Sequence, residues 1–240
     1  MTALGDRFCL VYPLPDPRYI WGTAACSSKQ AAPAGVTYTV FACHHFGGQK
    51  YLEIERYDRI ISEDRTKKLG YSYDDDNITI GIPKKVERRH QEDFCQVLGY
   101  LAKQKYQADG GPKIRELHNA ILEYSAQKAT DSYRFIELLM FNYLIGNADA
   151  HAKNFALLYA SADDRIILAP AYDLLSTDVY PEKIVSHEIA MTVNGKGTYD
   201  SITKKDWLTL YEQLGLNPDQ AMQEMKRNFI DITAQMISDK

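Results

Sequence analysis

An α+β fold, mostly α, is predicted by two changes of period and by the way the longest apolar run ends. Between Val36 and Tyr57, apolar and polar residues alternate on either side of a Gly47-Gly48 pair. From His90 onward, apolar residues recur every three or four positions. The apolar run Phe135–Ile145 stops at Gly146. A polar loop follows in which residues 149–154 carry an acid, an imidazole, an ammonium and an amide.

The strand elements come first. Val36–Ala42 reads as a strand, His45–Gln49 as a turn in which the two glycines supply positive φ, and Lys50–Tyr57 as the partner strand. His44 and His45 fall at the hairpin tip, exposed. Before this hairpin, Pro13, Pro15, Pro17 and Pro33 interrupt any long element, leaving room for a short helix at Ile20–Cys26. After it, Asp58–Arg89 is an irregular excursion. Its acidic run Asp74–Asn77 lacks the spaced oxygen ligands of a calcium loop and reads as solvated. Asp58 and Arg59 read as a structural ion pair.

The helices follow. Glu92–Lys103 places Phe94, Val97, Leu98 and Leu101 on one face, and Gly110-Gly111-Pro112 stops and restarts the chain. Ile114–Tyr124 is a second helix, with Leu117, Ile121 and Leu122 apolar. Asp131 or Ser132 caps the third. Phe155–Tyr159 and Ile166–Leu168 suit a hairpin. Lys205–Leu214 is a helix, and Asn217-Pro218 opens another through Met236, whose Met222, Met225, Phe229, Ile232 and Met236 form a core-facing stripe.

The composition narrows the function. With 240 residues, 45% hydrophobic and 25% charged, the chain is of ordinary globular make-up. A net charge of -4 argues against a protein built mainly to coat nucleic acid. Cys9, Cys26, Cys43 and Cys95 form no CxxC pair, so a reduced, cytoplasmic chain without structural zinc is expected. No signal peptide is visible, and no apolar run approaches the roughly 18 residues of a membrane span.

Phosphoryl transfer asks little covalent chemistry of a protein. It needs a base beside the attacking hydroxyl, and acids or amides to hold magnesium. Protein kinases place these as Asp-x-x-x-x-Asn on a loop, then a second Asp after a short hairpin. Asp149 and Asn154 have that spacing, and Asp173 follows the predicted hairpin. The order of apolar helix, loop, hairpin and acid is that of the C-terminal lobe of a protein kinase. Two other readings stand beside it. Asp149 and Asn154 also suit plain turn and cap positions. Asp149 with His151 has a metal-ligand spacing found in hydrolases, for which His187 and Asp173 are the further candidates.

The wording of the loop goes beyond spacing. Gly146-Asn147-Ala148-Asp149-Ala150-His151-Ala152-Lys153-Asn154-Phe155, followed by Tyr172-Asp173-Leu174-Leu175-Ser176, resembles the signature of the HipA family, serine/threonine kinases of bacterial toxin–antitoxin modules. Glu55–Arg59, Gln91–Gln96 and Lys105–Pro112 agree and occur in family order, so the resemblance runs from about Val36 to the C-terminus. It implies a HipA-like kinase that uses ATP and Mg²⁺ to phosphorylate a protein serine or threonine, with aminoacyl-tRNA synthetases among the family's targets. Its partner would be a small DNA-binding antitoxin, bringing DNA in only indirectly, with no membrane. Asp149 would be the catalytic base, and Asn154 and Asp173 would hold Mg²⁺. His151 and Lys153 would lie near the phosphates. Glu55 to Tyr57 would form the hinge contacting adenine, and Tyr172 would line the nucleotide pocket.

The resemblance also implies a domain division. Residues 1–57 would be a remnant of the N-terminal lobe with the hinge, including the small β-hairpin, and residues 58–240 the helical lobe. Family members carry a Gly-rich loop and a phosphate-gripping lysine upstream of the region matching Val36. In residues 1–35, Gly5, Gly22 and Gly35 stand alone, and Lys29 sits in Ser27-Ser28-Lys29-Gln30 rather than in an apolar strand. Three alternatives follow: a truncated reading frame, an N-terminal lobe supplied by another chain, or a non-catalytic pseudokinase fragment that binds an antitoxin or a partner lobe.

Overall fold

A computed structural model describes residues 86–159, 165–178, 180–184, 186–220 and 222–223, with the shorter stretches 9–10, 41–46, 49–54, 57–61, 73–74 and 77–78. In the first part, β1 (Cys9–Leu10), β2 (Phe41–Phe46) and β3 (Gln49–Ile54) form an antiparallel sheet in the order β1-β3-β2. The β2–β3 hairpin pairs Phe46 with Gln49. His44 and His45 pair with Tyr51 and Lys50 inside the ladder, which corrects their expected place at the tip. Of the strand expected at Val36–Ala42, only residues 41 and 42 are described. The helix expected at Ile20–Cys26 lies outside the described residues.

The excursion after Asp58 is tied at its ends. β4 (Arg59–Ile61) pairs with β7 (Val86–Arg88), while β5 (Tyr73–Asp74) pairs with β6 (Asn77–Ile78). Asp58 is buried and meets Arg59 at 2.5 Å, as a structural ion pair.

β8 (Gln91–Asp93) lies where a helix start was expected. It pairs with β9 (Ala156–Tyr159), whose other edge takes β10 (Ile166–Leu168). The helix that follows, α1 (Phe94–Val97), is a single turn. Asp93 accepts the Gln96 amide at 3.0 Å and Gln96 returns the bond at 2.9 Å, a reciprocal cap. The expected continuation to Lys103 fails because Gly99 turns left-handed at φ 74°, and Leu101 is left exposed.

α2 (Ile114–Tyr124) has the predicted ends. Leu117 and Ile121, four residues apart, are fully buried, whereas Leu122 is rotated off that stripe and exposed. α3 (Lys128–Leu144) begins before the expected cap, which places Asp131 inside its first turn. Asp131 is buried because its carboxylate does other work. It accepts from Ser125 Oγ at 2.7 Å, Gln127 Nε2 at 2.8 Å and the Leu168 amide at 2.7 Å, tying α3 to β10. A buried charge with that many donors is tolerated; a bare one is not. The Phe135 ring packs between Phe94 at 6.2 Å and Phe155 at 5.4 Å, joining α1, α3 and the start of β9 into one core.

β11 (Glu188–Val193) and β12 (Lys196–Thr198) form a hairpin absent from the sequence reading. Its turn is Asn194-Gly195, both at positive φ, the pair that matches strand twist. α4 (Lys204–Gln213) follows, one residue earlier than predicted, because Thr203 and Asp206 cap it. Asn217 accepts the Asp219 and Gln220 amides, as its predicted capping role requires. Met225, Phe229, Ile232 and Met236 lie outside the described residues. Among the described residues no helix is long and apolar enough to cross a membrane.

His118 of α2 is buried with its Nε2 unpaired, and burial lowers its pKa below the ordinary histidine value. The unfolded chain binds that proton more readily than the folded one, so stability falls as pH drops below the unfolded pKa near 6.5. In urea melts at pH 7.5 and 5.0, the acid-induced drop in midpoint is expected to be smaller in His118→Leu than in the wild type.

Candidate active site

Two chain segments make the site, and the main chain of Gly146 joins them. Gly146 ends α3 at φ 70°, and a Cβ there would stand 2.8 Å from Cβ of Asp178. Its carbonyl accepts the Thr177 amide at 2.9 Å, the Thr177 hydroxyl at 2.9 Å and the Asp178 amide at 3.2 Å. Thr177 Oγ1 in turn accepts the Ala148 amide at 2.8 Å. The loop after α3 is thereby stitched to the segment after Asp173. Asp173 has φ 56°, a left-handed conformation that aspartate tolerates better than most side chains.

The chemistry-bearing side chains converge on this seam. Asn154 donates from Nδ2 to the Asp149 carbonyl at 3.0 Å and lies close enough to Asp173 for its amide to favour the ionised carboxyl. Asp149 Oδ1 accepts the Tyr106 hydroxyl at 2.5 Å. Asp173 is open to solvent on one side but densely surrounded on the others. Burial first, then the Asp149 charge, raise its pKa, while the Asn154 amide and Lys105 oppose the rise. Two carboxylates and an amide facing one another are hard oxygen donors suited to a divalent cation. Mg²⁺ bound jointly with nucleotide phosphates needs only one or two such protein ligands. Asn154 and Asp173 fit that role.

His151 sits behind Asp149. It is buried, its Nε2 lies 4.0 Å from Asp149 Oδ1, and the edge of its ring meets Tyr106 at 5.2 Å. Burial lowers its pKa against the pull of Asp149, which favours the neutral imidazole. Lys153 Nζ pairs with Asp93 at 3.1 Å. The Tyr172 hydroxyl donates to the Lys153 carbonyl at 2.6 Å, and its ring stacks on Tyr57 at 6.0 Å. These two rings pack with Ile167 over Ala156, Leu158 and Ala169 as a small apolar cluster. Glu55 lies outside the described residues. His187 turns to Asp178 and the Tyr180 carbonyl rather than to His151. Among the described residues no three metal-ligating side chains of the His, Cys, Asp or Glu type cluster.

The family description "HipA-like C-terminal domain" matches residues 24–236. The chain belongs to this family. Y4mE of Sinorhizobium fredii is 32% identical over 88% of this chain and 44% of its own length. The serine/threonine-protein kinase toxin HipA of Shewanella oneidensis is 29% identical over 72% of this chain and 37% of its own. The chain thus spans about two fifths of the length of these relatives. The solved complex of Shewanella oneidensis HipA with HipB and operator DNA superposes with a TM-score of 0.67 at 24% identity, covering 82% of this chain and 44% of that one. The fold is therefore the kinase-like fold of HipA, and its helices and small sheets are of α+β class.

Lys105–Pro112 and Gln91–Gln96 carry HipA-like wording but no site role legible in the residues alone. Tyr106 and Asp93 are what those stretches deliver, one to Asp149 and the other to Lys153. Lys105 stands 4.7 Å over the Tyr106 ring and adds a cation beside the acids. Thr177 carried no signal, since a hydroxyl's role as a loop clamp depends on tertiary contact.

Two outcomes are expected. Gly146→Ala loses the left-handed conformation at a cost of about 1–2 kcal/mol, and the Asp178 contact adds to it; thermal denaturation should register a drop of about 2–8 °C. Asp173→Asn, in EDTA at pH 7.5, should raise the melting temperature by about 1–2 °C, small because the carboxylate is partly screened. The sign follows from the raised pKa: ionising Asp173 disfavours the folded state, so the gap between variant and wild type should shrink as pH falls toward 4.

Proposed function

We propose that this chain carries the catalytic and metal-binding elements of a HipA-like serine/threonine protein kinase. The observation behind the proposal is the convergence of three groups: Asn154 donates to the Asp149 carbonyl at 3.0 Å, and Asp173 lies within the influence of both the Asp149 charge and the Asn154 amide. Residues 58–240 act as the helical lobe, and residues 1–57 as hinge and remnant of the β-rich lobe.

Asp149 is the base. Tyr106 occupies Oδ1, which leaves Oδ2 to receive the proton of a substrate serine or threonine hydroxyl. As that proton moves, the hydroxyl oxygen forms its bond to the γ-phosphorus, the bond to the β-phosphate bridging oxygen breaks, and ADP departs. Asn154 and Asp173 would hold Mg²⁺, which would supply positive charge against that of the ATP phosphates. Neutral His151 packs beside Asp149 on the same Oδ1 side as the Tyr106 hydroxyl, its ring against that of Tyr106. Lys153 exchanges Asp93 for the phosphates when nucleotide enters. The apolar cluster of Tyr57 and Tyr172 offers a surface for the adenine, with Glu55 contributing from the hinge.

The complex of the Shewanella protein with HipB and operator DNA supports a small DNA-binding antitoxin as partner, with DNA reached through it. An aminoacyl-tRNA synthetase is the substrate class proposed for the toxin role.

Millimolar Mg-ATP is expected to raise the melting temperature of the wild type, and Asp173→Ala to remove that rise. In the presence of a supplied N-terminal lobe, γ-labelled phosphate should transfer to a protein acceptor. Asp149→Ala should lower that rate by about 10²–10⁴-fold. An unchanged melting curve with Mg-ATP contradicts the nucleotide site. Binding with no transfer in the complemented protein favours the non-catalytic, pseudokinase reading.

A further inference from the structure

We infer that Asn147 is a positioning residue that holds Asp173 in its left-handed backbone conformation, oriented for the purpose by Asn142 of α3. The inference rests on the proposed metal role of Asp173 and goes beyond it by naming what presents that ligand. Asn147 Nδ2 donates to the Asp173 carbonyl at 3.2 Å and to Asn142 Oδ1 at 2.7 Å. Both neighbours are acceptors, so only the NH₂ end of the amide can face them.

The other end tells why the residue is there. Asn147 is 2% exposed, and its Oδ1 has no partner among the protein atoms. The residue lines a cavity of about 30 Å³ walled by Leu139, Met191 and Trp207. A buried acceptor left unpaired is unfavourable, a cost set against the two bonds that the other end of the same amide donates. What the amide supplies is two donors, one of them aimed at the main chain of a residue at φ 56°.

Asn142 makes the aim rigid. Its own Nδ2 is anchored on the Leu138 carbonyl at 2.9 Å within α3, and its main-chain carbonyl takes the Asn147 amide at 2.9 Å. Asn147 also stands two residues before Asp149. One side chain therefore ties the end of α3, the loop bearing the base and the peptide of the metal ligand into a single body. Partners that orient metal ligands commonly change metal affinity 10–100-fold when removed.

The test is a titration of the full chain with a fluorescent N-methylanthraniloyl ATP, in Mg²⁺ and again in EDTA. Asn147→Asp keeps the shape and removes the donors. It is expected to weaken the Mg²⁺-dependent affinity about tenfold and to leave the affinity in EDTA within about twofold of wild type. Equal losses in Mg²⁺ and EDTA would mean a general structural role and overturn the inference; so would no loss. Asn142→Ala, which removes the orienting acceptor and leaves Asn147 in place, gives a second route if Asn147→Asp does not fold; it should show a smaller loss confined to Mg²⁺, and the absence of that loss overturns the inference. Asp173→Ala separates the two layers. Lost Mg²⁺ dependence in Asp173→Ala alone, with Asn147→Asp like wild type, overturns the inference only. Wild-type binding indifferent to Mg²⁺ overturns the metal reading and this inference together.

Discussion

A single carbonyl oxygen, that of Gly146, sets the geometry of the site. Three donors from Thr177 and Asp178 converge on it, and Thr177 returns to the loop through the Ala148 amide. With the Asn147 bond to the Asp173 carbonyl and the Tyr172 bond to the Lys153 carbonyl, that seam holds the loop carrying Asp149 and Asn154 against the segment carrying Asp173. Only glycine satisfies the position, because the chain must be left-handed there and a Cβ would meet Asp178.

Rigidity reaches the seam from the core. Phe135 of α3 is wedged between Phe94 and Phe155, so the helix preceding Gly146 and the strand following Asn154 are fixed to the same apolar cluster. Asp131 adds a polar tie from α3 to β10. On the other flank, Gln107 is bound to Thr192 of β11 by side-chain and main-chain contacts, and this holds the neighbouring Tyr106 over Asp149. The loop is polar and irregular, but every side of it is anchored on a regular element.

Much of this was legible from residue order. Gly146 announced the end of α3, the Asp149–Asn154 spacing announced the loop, and the apolar runs at 155–159 and 166–168 announced the hairpin. Where local signals competed with tertiary contacts, the reading slipped. Asp131 looked like a cap but is recruited by the Leu168 amide. Gln91–Asp93 looked like a helix entry but is short enough to be captured as a strand by β9. Asn194-Gly195 carries a turn signal in the sequence, and the β11–β12 hairpin forms around it. Tyr106, Asp93 and Thr177 could not be assigned from sequence, since each acts across a long stretch of chain on a partner that folding alone brings near.

The central claim is that Asn154 and Asp173 hold one divalent ion together with nucleotide. Replacing Mg²⁺ by paramagnetic Mn²⁺ in the presence of ATP, and recording amide NMR signals, locates that ion directly. Selective broadening of the resonances around residues 149, 154 and 173, with those of α2 near His118 left sharp, is the result expected. Broadening centred elsewhere, or none at saturating Mn-ATP, would contradict it.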